Sequence, residues 1–254
     1  MPANHGKTRR SLFTEERLAN LHQNVERHQW ARQVSENFLT IADQHVDRPY
    51  AELVSYVTDP CIPRAIYVHE TECPICGLEL RKHGWASWIT TKQRPFKVEC
   101  PHCHQVFPSN DFEAYYASGM KDRSLLTGDY PDDGYGWSSP DDPKHKYWFV
   151  GFYTQWMVMR ELFDIIDGLY HAYLFTDDER YAHKCAALIW QLASFYPDYN
   201  YATQSRYGIE FDANYNGKLL YHTWENWTVD RCAQGYDAIF PALNKPCPEL
   251  DRKS

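Results

Sequence analysis

Two tight cysteine pairs, Cys73-Pro-Ile-Cys76 and Cys100-Pro-His-Cys103, carry the clearest chemistry in this chain. In each pair the Cys-x-x-Cys spacing lets two thiolates from one turn grip one metal ion, and two such pairs close a tetrahedral site around Zn²⁺. Two disulfides or a redox pair are the competing readings. A redox motif needs only one Cys-x-x-Cys, and no βαβ pattern surrounds either pair. Four thiolates leave no open coordination position, so the expected ion is structural, and any catalytic chemistry has to come from other residues.

The best constellation outside the cysteines is Tyr221-His222-Thr223-Trp224-Glu225-Asn226-Trp227. On a helix His222 and Glu225 stand at i and i+3 and share one face. A histidine beside a carboxylate can work as a general base and acid, and the carboxylate raises the imidazole pKa. The same spacing fits an ordinary ion pair at a helix start with Trp224 and Trp227 buried, so the pattern alone leaves both readings open. Asn214 and Asn216 lie just before this helix in a Gly-containing loop, where amides can bind a substrate carboxylate or simply form a turn. Gly134-Tyr135-Gly136-Trp137 is flexible and aromatic, and Trp137 suits either the wall of a sugar groove or an ordinary turn.

The elements that must position these groups read as mostly helical. Thr14 is the expected N-cap of a helix reaching about Gln44, with Glu15 and Glu16 in its first turn and Phe13 and Leu18 placed for a hydrophobic staple. Its apolar residues Leu18, Leu21, Val25, Trp30, Val34, Phe38 and Ile41 recur as one buried stripe would. Trp85–Thr90 and Pro95–Glu99 are candidate strands of a small β ribbon around the cysteines. Residues 119–146, rich in Gly, Asp and Pro, read as loop. Helices are expected over Tyr147–Phe175, Asp177–Tyr196 and Leu219–Phe240, joined by short turns as antiparallel hairpins. The division expected is a helical segment over 1–66, the zinc ribbon over 67–112, and helices over 113–254.

With 254 residues and a net charge of −8, the chain has ample core material and is a poor candidate for general nucleic-acid binding. Between Cys73 and Cys103 the balance reverses to +3, from Arg81, Lys82, Lys92, Arg94 and Lys97 against Glu79 and Glu99, with Trp85, Trp88 and Phe96 among them. That patch fits either an anionic ligand or a solvated face with its aromatics packed inward. The 19 Tyr and 9 Trp fit either carbohydrate surfaces or aromatic-rich helix packing. No apolar stretch follows the basic residues of MPANHGKTRRSLFTEE, as a signal peptide would require. The most apolar window, Tyr147–Met159, is too short to span a membrane. Cys61, Cys185, Cys232 and Cys247 are too scattered to form a disulfide framework.

Read in order, RSLFTEERLANLHQNVERHQWAR, CPICG, FKVECPHCHQVFPSNDFEAYYASG, TDDERYAHKCAALIWQLASFYPD and GKLLYHTWENWTV…GYDAIFP resemble the N-terminal part of heparinase II/III-like polysaccharide lyases, from Arg10 to about Pro241. The resemblance implies part of an α/α-toroid with an inserted zinc ribbon. It implies cleavage of uronic-acid polysaccharides by β-elimination, with His222 and Glu225 matching a catalytic His-x-x-Glu pair and an acidic polysaccharide as partner. It also implies export to the periplasm or beyond. Asn214, Asn216, Trp137 and Trp224 are the candidate substrate contacts. Such lyases carry their catalytic Tyr, a further His and β-sheet domains beyond the region resembled here. The expectation is therefore an N-terminal piece, inactive alone, whose open helix faces are covered by further domains or an oligomer partner. The alternative, from another class, is a non-catalytic zinc-stabilised module that binds anionic glycans or a protein.

Overall fold

The expected N-cap starts the first helix: Thr14 Oγ1 accepts the Arg17 N–H at 3.4 Å. The helix does not run on to Gln44. It splits into α1 (Glu15–Arg27) and α2 (Gln29–Val46) at His28, whose backbone is extended. His28 serves both sides of the break, donating to Asn24 O and accepting from Arg32 N. The Arg32 guanidinium reaches back to the carbonyls of Val25 (3.3 Å) and Glu26 (2.8 Å), which lie in the last turn before the break. The break also resets the helical phase. Trp30 and Val34, expected in the buried stripe, are exposed, while α2 buries Ala31, Ser35, Ala42, His45 and Val46.

This computed structural model describes residues 6–64, 72–200, 219 and 222–245. The architecture is mostly helical with two small antiparallel sheets. The chain divides into two compact units, the first made of 1–57, 161–194 and 226–254, the second of 58–160 and 195–225. In the first unit, α2 packs on α6 (Phe163–Thr176) so closely that a Cβ on Gly168 would lie 2.8 Å from Ile41 Cγ2. Phe38 stacks on His171 at 4.0 Å beside that approach. Helix α8 (His222–Ile239) sends Asp237 to the N-terminal arm, where its carboxylate accepts the N–H groups of Ser11 (2.6 Å), Leu12 (2.9 Å) and Phe13 (3.0 Å) and pairs with Lys7. The remaining first-unit helices are α3 (Tyr50–Val54) and nearly all of α7 (Glu179–Phe195). Among the described residues, no helix is long and apolar enough to cross a membrane.

The second unit holds the cysteine segment. Its strands are shorter than expected: β1 (Val98–Glu99) pairs with β2 (Val106–Phe107), and Ile89 adds one bridge to Glu99. Turns at Thr91–Arg94 and Arg94–Lys97, with Phe96 in the left-handed region, use the residues that a longer ladder would need. The expected loop over 119–146 contains a hairpin, β3 (Trp137–Ser139) and β4 (Asp142–Tyr147), pinned by the cross-strand pair Trp137–Tyr147. Helix α4 (Phe112–Ala117), capped by Asp111, packs Phe112 and Tyr115 against Ile62 and Val150. From Phe149 the chain is helical as far as Thr176: α5 (Phe149–Met157), a π turn (Val158–Leu162), then α6. Trp88 meets Phe107 (5.5 Å) and Phe149 (6.0 Å) edge-on, and Phe107 stacks on Phe149 at 4.8 Å, so aromatic packing fastens the cysteine segment to α5.

Asp132 ties the same region together from inside. It is fully buried, and its carboxylate accepts the N–H groups of Gly134 (2.7 Å), Gly136 (2.9 Å) and Val150 (3.1 Å), the last in the first turn of α5. Its backbone exchanges two hydrogen bonds with the Asn110 side chain. Burial pushes the carboxyl up to about 6 despite the three donors. A raised carboxyl contributes stability that is complete below the unfolded value near 4 and is lost as pH rises through about 6. Urea titrations from pH 4 to 7 should show wild type losing up to roughly 3 kcal/mol relative to Asp132→Asn, which does not titrate. Parallel profiles for the two proteins would refute this assignment.

Candidate functional site

Each Cys-x-x-Cys turn closes on a backbone hydrogen bond at a residue of positive φ. Gly77 donates its N–H to Cys73 O (2.8 Å) and His104 donates to Cys100 O (2.9 Å), each residue at a φ of 59°. The left-handed half of backbone space suits Gly77, whose ψ of −131° is readily adopted by glycine. His104 enters it at a cost of roughly 1 kcal/mol, and its ring faces Glu99 at 3.5 Å. These turns bring Cys73, Cys76, Cys100 and Cys103 together, with all four sulfurs within 4.8 Å of one another. Cys73 Sγ lies 3.7 Å from Cys103 Sγ and Cys76 Sγ lies 3.6 Å from Cys100 Sγ. Disulfide sulfurs would be about 2 Å apart, whereas thiolates about 2.3 Å from one tetrahedral ion stand about 3.8 Å apart. The donor set therefore fits a metal ion. The Ile75 N–H points at Cys73 Sγ (3.5 Å), the kind of donor that favours a thiolate. Burial pushes the Cys73 thiol well up and takes Cys76 to about 11, so binding an ion here displaces protons.

The structure engages the basic residues around this cluster. Lys82 pairs with Glu79 (2.5 Å), Arg94 with Glu99 (2.5 Å) and Arg81 with Glu72 (3.5 Å). Lys97 is half-buried, donating to the carbonyls of Pro108 (2.7 Å) and Asn110 (2.5 Å). Lys82 beside Glu79, and Arg94 beside Glu99, hold those carboxyls below their usual values.

Helix α8 begins at His222, three residues after the expected Leu219 start, and Trp224 and Glu225 follow in its first turn. Asn214, Asn216 and the His222 side chain lie outside the described residues. Glu225 is buried, and both carboxylate oxygens accept the Leu219 N–H, at 3.3 and 3.2 Å. This carboxylate thus ties the backbone preceding the helix to the helix's own first turn. Arg64, also buried, lies over the Tyr199 ring at 4.3 Å. Burial lowers its pKa to about 10, opposed by Tyr199 and Glu225, so it is cationic at neutral pH. Trp224 joins an aromatic group with Trp85 and Trp156, each ring centroid 6.4 Å away. Trp227, buried in the ion-pair reading, is exposed.

Trp137 belongs to a different aromatic group, with Tyr130 (4.9 Å) and Tyr147 (5.8 Å). It lines two small clefts. One, about 260 Å³, includes Asp129, Ser139 and Pro74; the other, about 400 Å³, includes Arg123 and Asp133. Sequence reasoning missed Trp85, Trp156, Arg160 and Arg64 as neighbours of the α8 start. The local signal was the place of Trp85 in the basic, aromatic patch between the cysteine pairs. No protein-family model, curated protein or solved structure matches this chain.

Proposed function

We propose that this chain is the N-terminal helical portion, a partial α/α-toroid with a zinc ribbon, of a polysaccharide lyase that cleaves uronic-acid glycans by β-elimination. The observation that carries the reading is the start of α8. Glu225 is buried on the Leu219 N–H, which fixes the His222 end of the helix beside the aromatic group of Trp224, Trp85 and Trp156. Trp156 is buried in this group and Trp85 is exposed; an exposed indole suits a pyranose ring, and the resemblance along the chain supplies the reaction class. The base, His222, removes the C5 proton next to a uronate carboxylate. The C5 electron pair forms the C4=C5 bond, the C4–O4 bond breaks, and O4 receives a proton from a general acid. Asn214 and Asn216 are the candidate donors to the carboxylate, whose neutralisation makes that proton acidic. Glu225 acts by holding the helix start in place. Cys73, Cys76, Cys100 and Cys103 would hold Zn²⁺, the ion that four thiolates in a closed tetrahedral site favour, in a structural role.

The test is the ultraviolet absorbance of unsaturated products from heparin, heparan sulfate, alginate or ulvan, measured on the full product of the reading frame. His222→Ala is expected to lower turnover by about 10²- to 10⁴-fold. Turnover unaffected by that substitution would remove His222 from the site, and no turnover on any of the four would overturn the lyase reading. A non-catalytic module that binds anionic glycans through the basic cysteine segment has less support, because Arg81, Lys82 and Arg94 face carboxylates of that segment.

A further inference from the structure

We infer that Trp85 is a sugar-stacking residue, presented by the four-cysteine segment to the His222 end of α8. The inference rests on the lyase reading for its ligand class, a uronate-containing oligosaccharide, but its geometry stands separately. Trp85 is 62% exposed, while Ala86 and Trp88 just after it are each 1% exposed. Backbone turns flank it: Gly84 has a φ of 107° and Ala86 a φ of 50°. Ala86 has a side chain, so its left-handed conformation costs energy that the surroundings must offset. They do so through Arg160, whose guanidinium donates to Ala86 O at 2.6 Å and Trp88 O at 3.5 Å while lying over the Trp156 ring at 4.5 Å. On the other side, a 3₁₀ turn (Leu78–His83) leads out of the first cysteine pair, with Leu80 fully buried and its carbonyl accepting from Ser87 Oγ (3.2 Å).

The chain is thus anchored before and after Trp85, and one large indole is left facing outward. It meets Trp156 (5.7 Å) and Trp224 (6.4 Å) at close to right angles, and Trp224 lies two residues along α8 from His222. A rigid, half-open aromatic at that place offers apolar area to the C–H face of a pyranose ring with little conformational entropy to lose. On this view the four-cysteine segment does more than stabilise the fold, because it supplies one wall of the substrate site.

The experiment is calorimetric titration of a uronate hexasaccharide into wild type, Trp85→Ala and Trp85→Phe, with metal content and circular dichroism recorded for each. Trp85→Ala should weaken binding about tenfold or more with metal content unchanged, and Trp85→Phe should recover most of the loss. In turnover assays the alanine variant should raise KM more than it lowers kcat. Affinity lost in Trp85→Ala, with no cleavage by the full product of the reading frame, would uphold the stacking role and sink the lyase reading. Cleavage by wild type with KM and affinity unchanged in Trp85→Ala would do the reverse. Failure of wild type to bind the hexasaccharide would overturn the stacking role.

Discussion

Cys100→Ser is expected to abolish retention of a metal ion through dialysis, and the segment packed on Phe149 through Trp88 and Phe107 is expected to unfold with it. Cys100 is fully buried, its sulfur 3.6 Å from Cys76 Sγ, and its backbone bonds to His104 and Gln105 shape the second pair. Serine would put a hydroxyl where a soft, charged ligand is needed. Around it β1 and β2 total only two residue pairs, too little sheet to hold the segment by itself. Structural zinc in small modules is worth about 10–16 kcal/mol of apparent binding energy at neutral pH, far more than any single contact here. Elemental analysis should find one ion per wild-type chain and none in the variant, with the melting temperature lowered by about 10 °C or more. A variant that keeps both its ion and its melting temperature would show that the four sulfurs do not act as a set. A chelator strong enough to strip wild type should reproduce the variant's melt.

The second large effect concerns Asp237. Asp237→Ala is expected to destabilise the first unit by about 2–4 kcal/mol, because three partly buried N–H groups and Lys7 lose a charged acceptor. The substitution leaves the N–H groups of Ser11, Leu12 and Phe13 without their acceptor and Lys7 without its counter-charge. Burial pushes this carboxyl up, but Lys7 and the three N–H groups outweigh it and hold the pKa well below the usual carboxylate range. The sign follows: the contribution is complete above the unfolded value near 4 and is lost as pH falls below it. Wild type should therefore approach the alanine variant in stability on acidification, the opposite trend from Asp132. Urea midpoints at pH 7 and pH 3 measure both statements. A cost below about 1 kcal/mol at pH 7 would mean that the arm is held by something else.

Much of this architecture is legible because its signals are local. Cysteine spacing, the Thr14 cap and the periodicity of α7 and α8 act over a few residues, and those two helices begin and end within a few residues of the positions read from sequence, whereas the expected Tyr147–Phe175 helix is α5 and α6 joined by a π turn. What escaped depends on partners far along the chain or on an unusual backbone. His28 breaks a helix without Gly or Pro, and the residue that completes the break is Arg32. The β3–β4 hairpin hides in Asp142-Pro-Lys-His-Lys-Tyr147, a strand too polar to alternate visibly, whose register rests on one aromatic pair. Asp132 looks like one more turn aspartate until Asn110, Gly134, Gly136 and Val150 surround it. At the candidate active site, the i, i+3 pattern placed His222 and Glu225 on one helix but gave no hint that Glu225 bonds to Leu219.

The twin cysteine turns also bear on the order in which the segment assembles. Each closes over five residues through backbone hydrogen bonds of its own, from Cys73 to Gly77 and from Cys100 to His104, without reference to the other. Joining them means closing the 23 residues between Cys76 and Cys100, at an entropic cost of roughly 3 kcal/mol. An ion captured by one preformed turn is already half coordinated when the other arrives. Metal-assisted assembly would then reduce to one encounter between two small turns, with a rate that follows the length and stiffness of the Gly77–Glu99 tether.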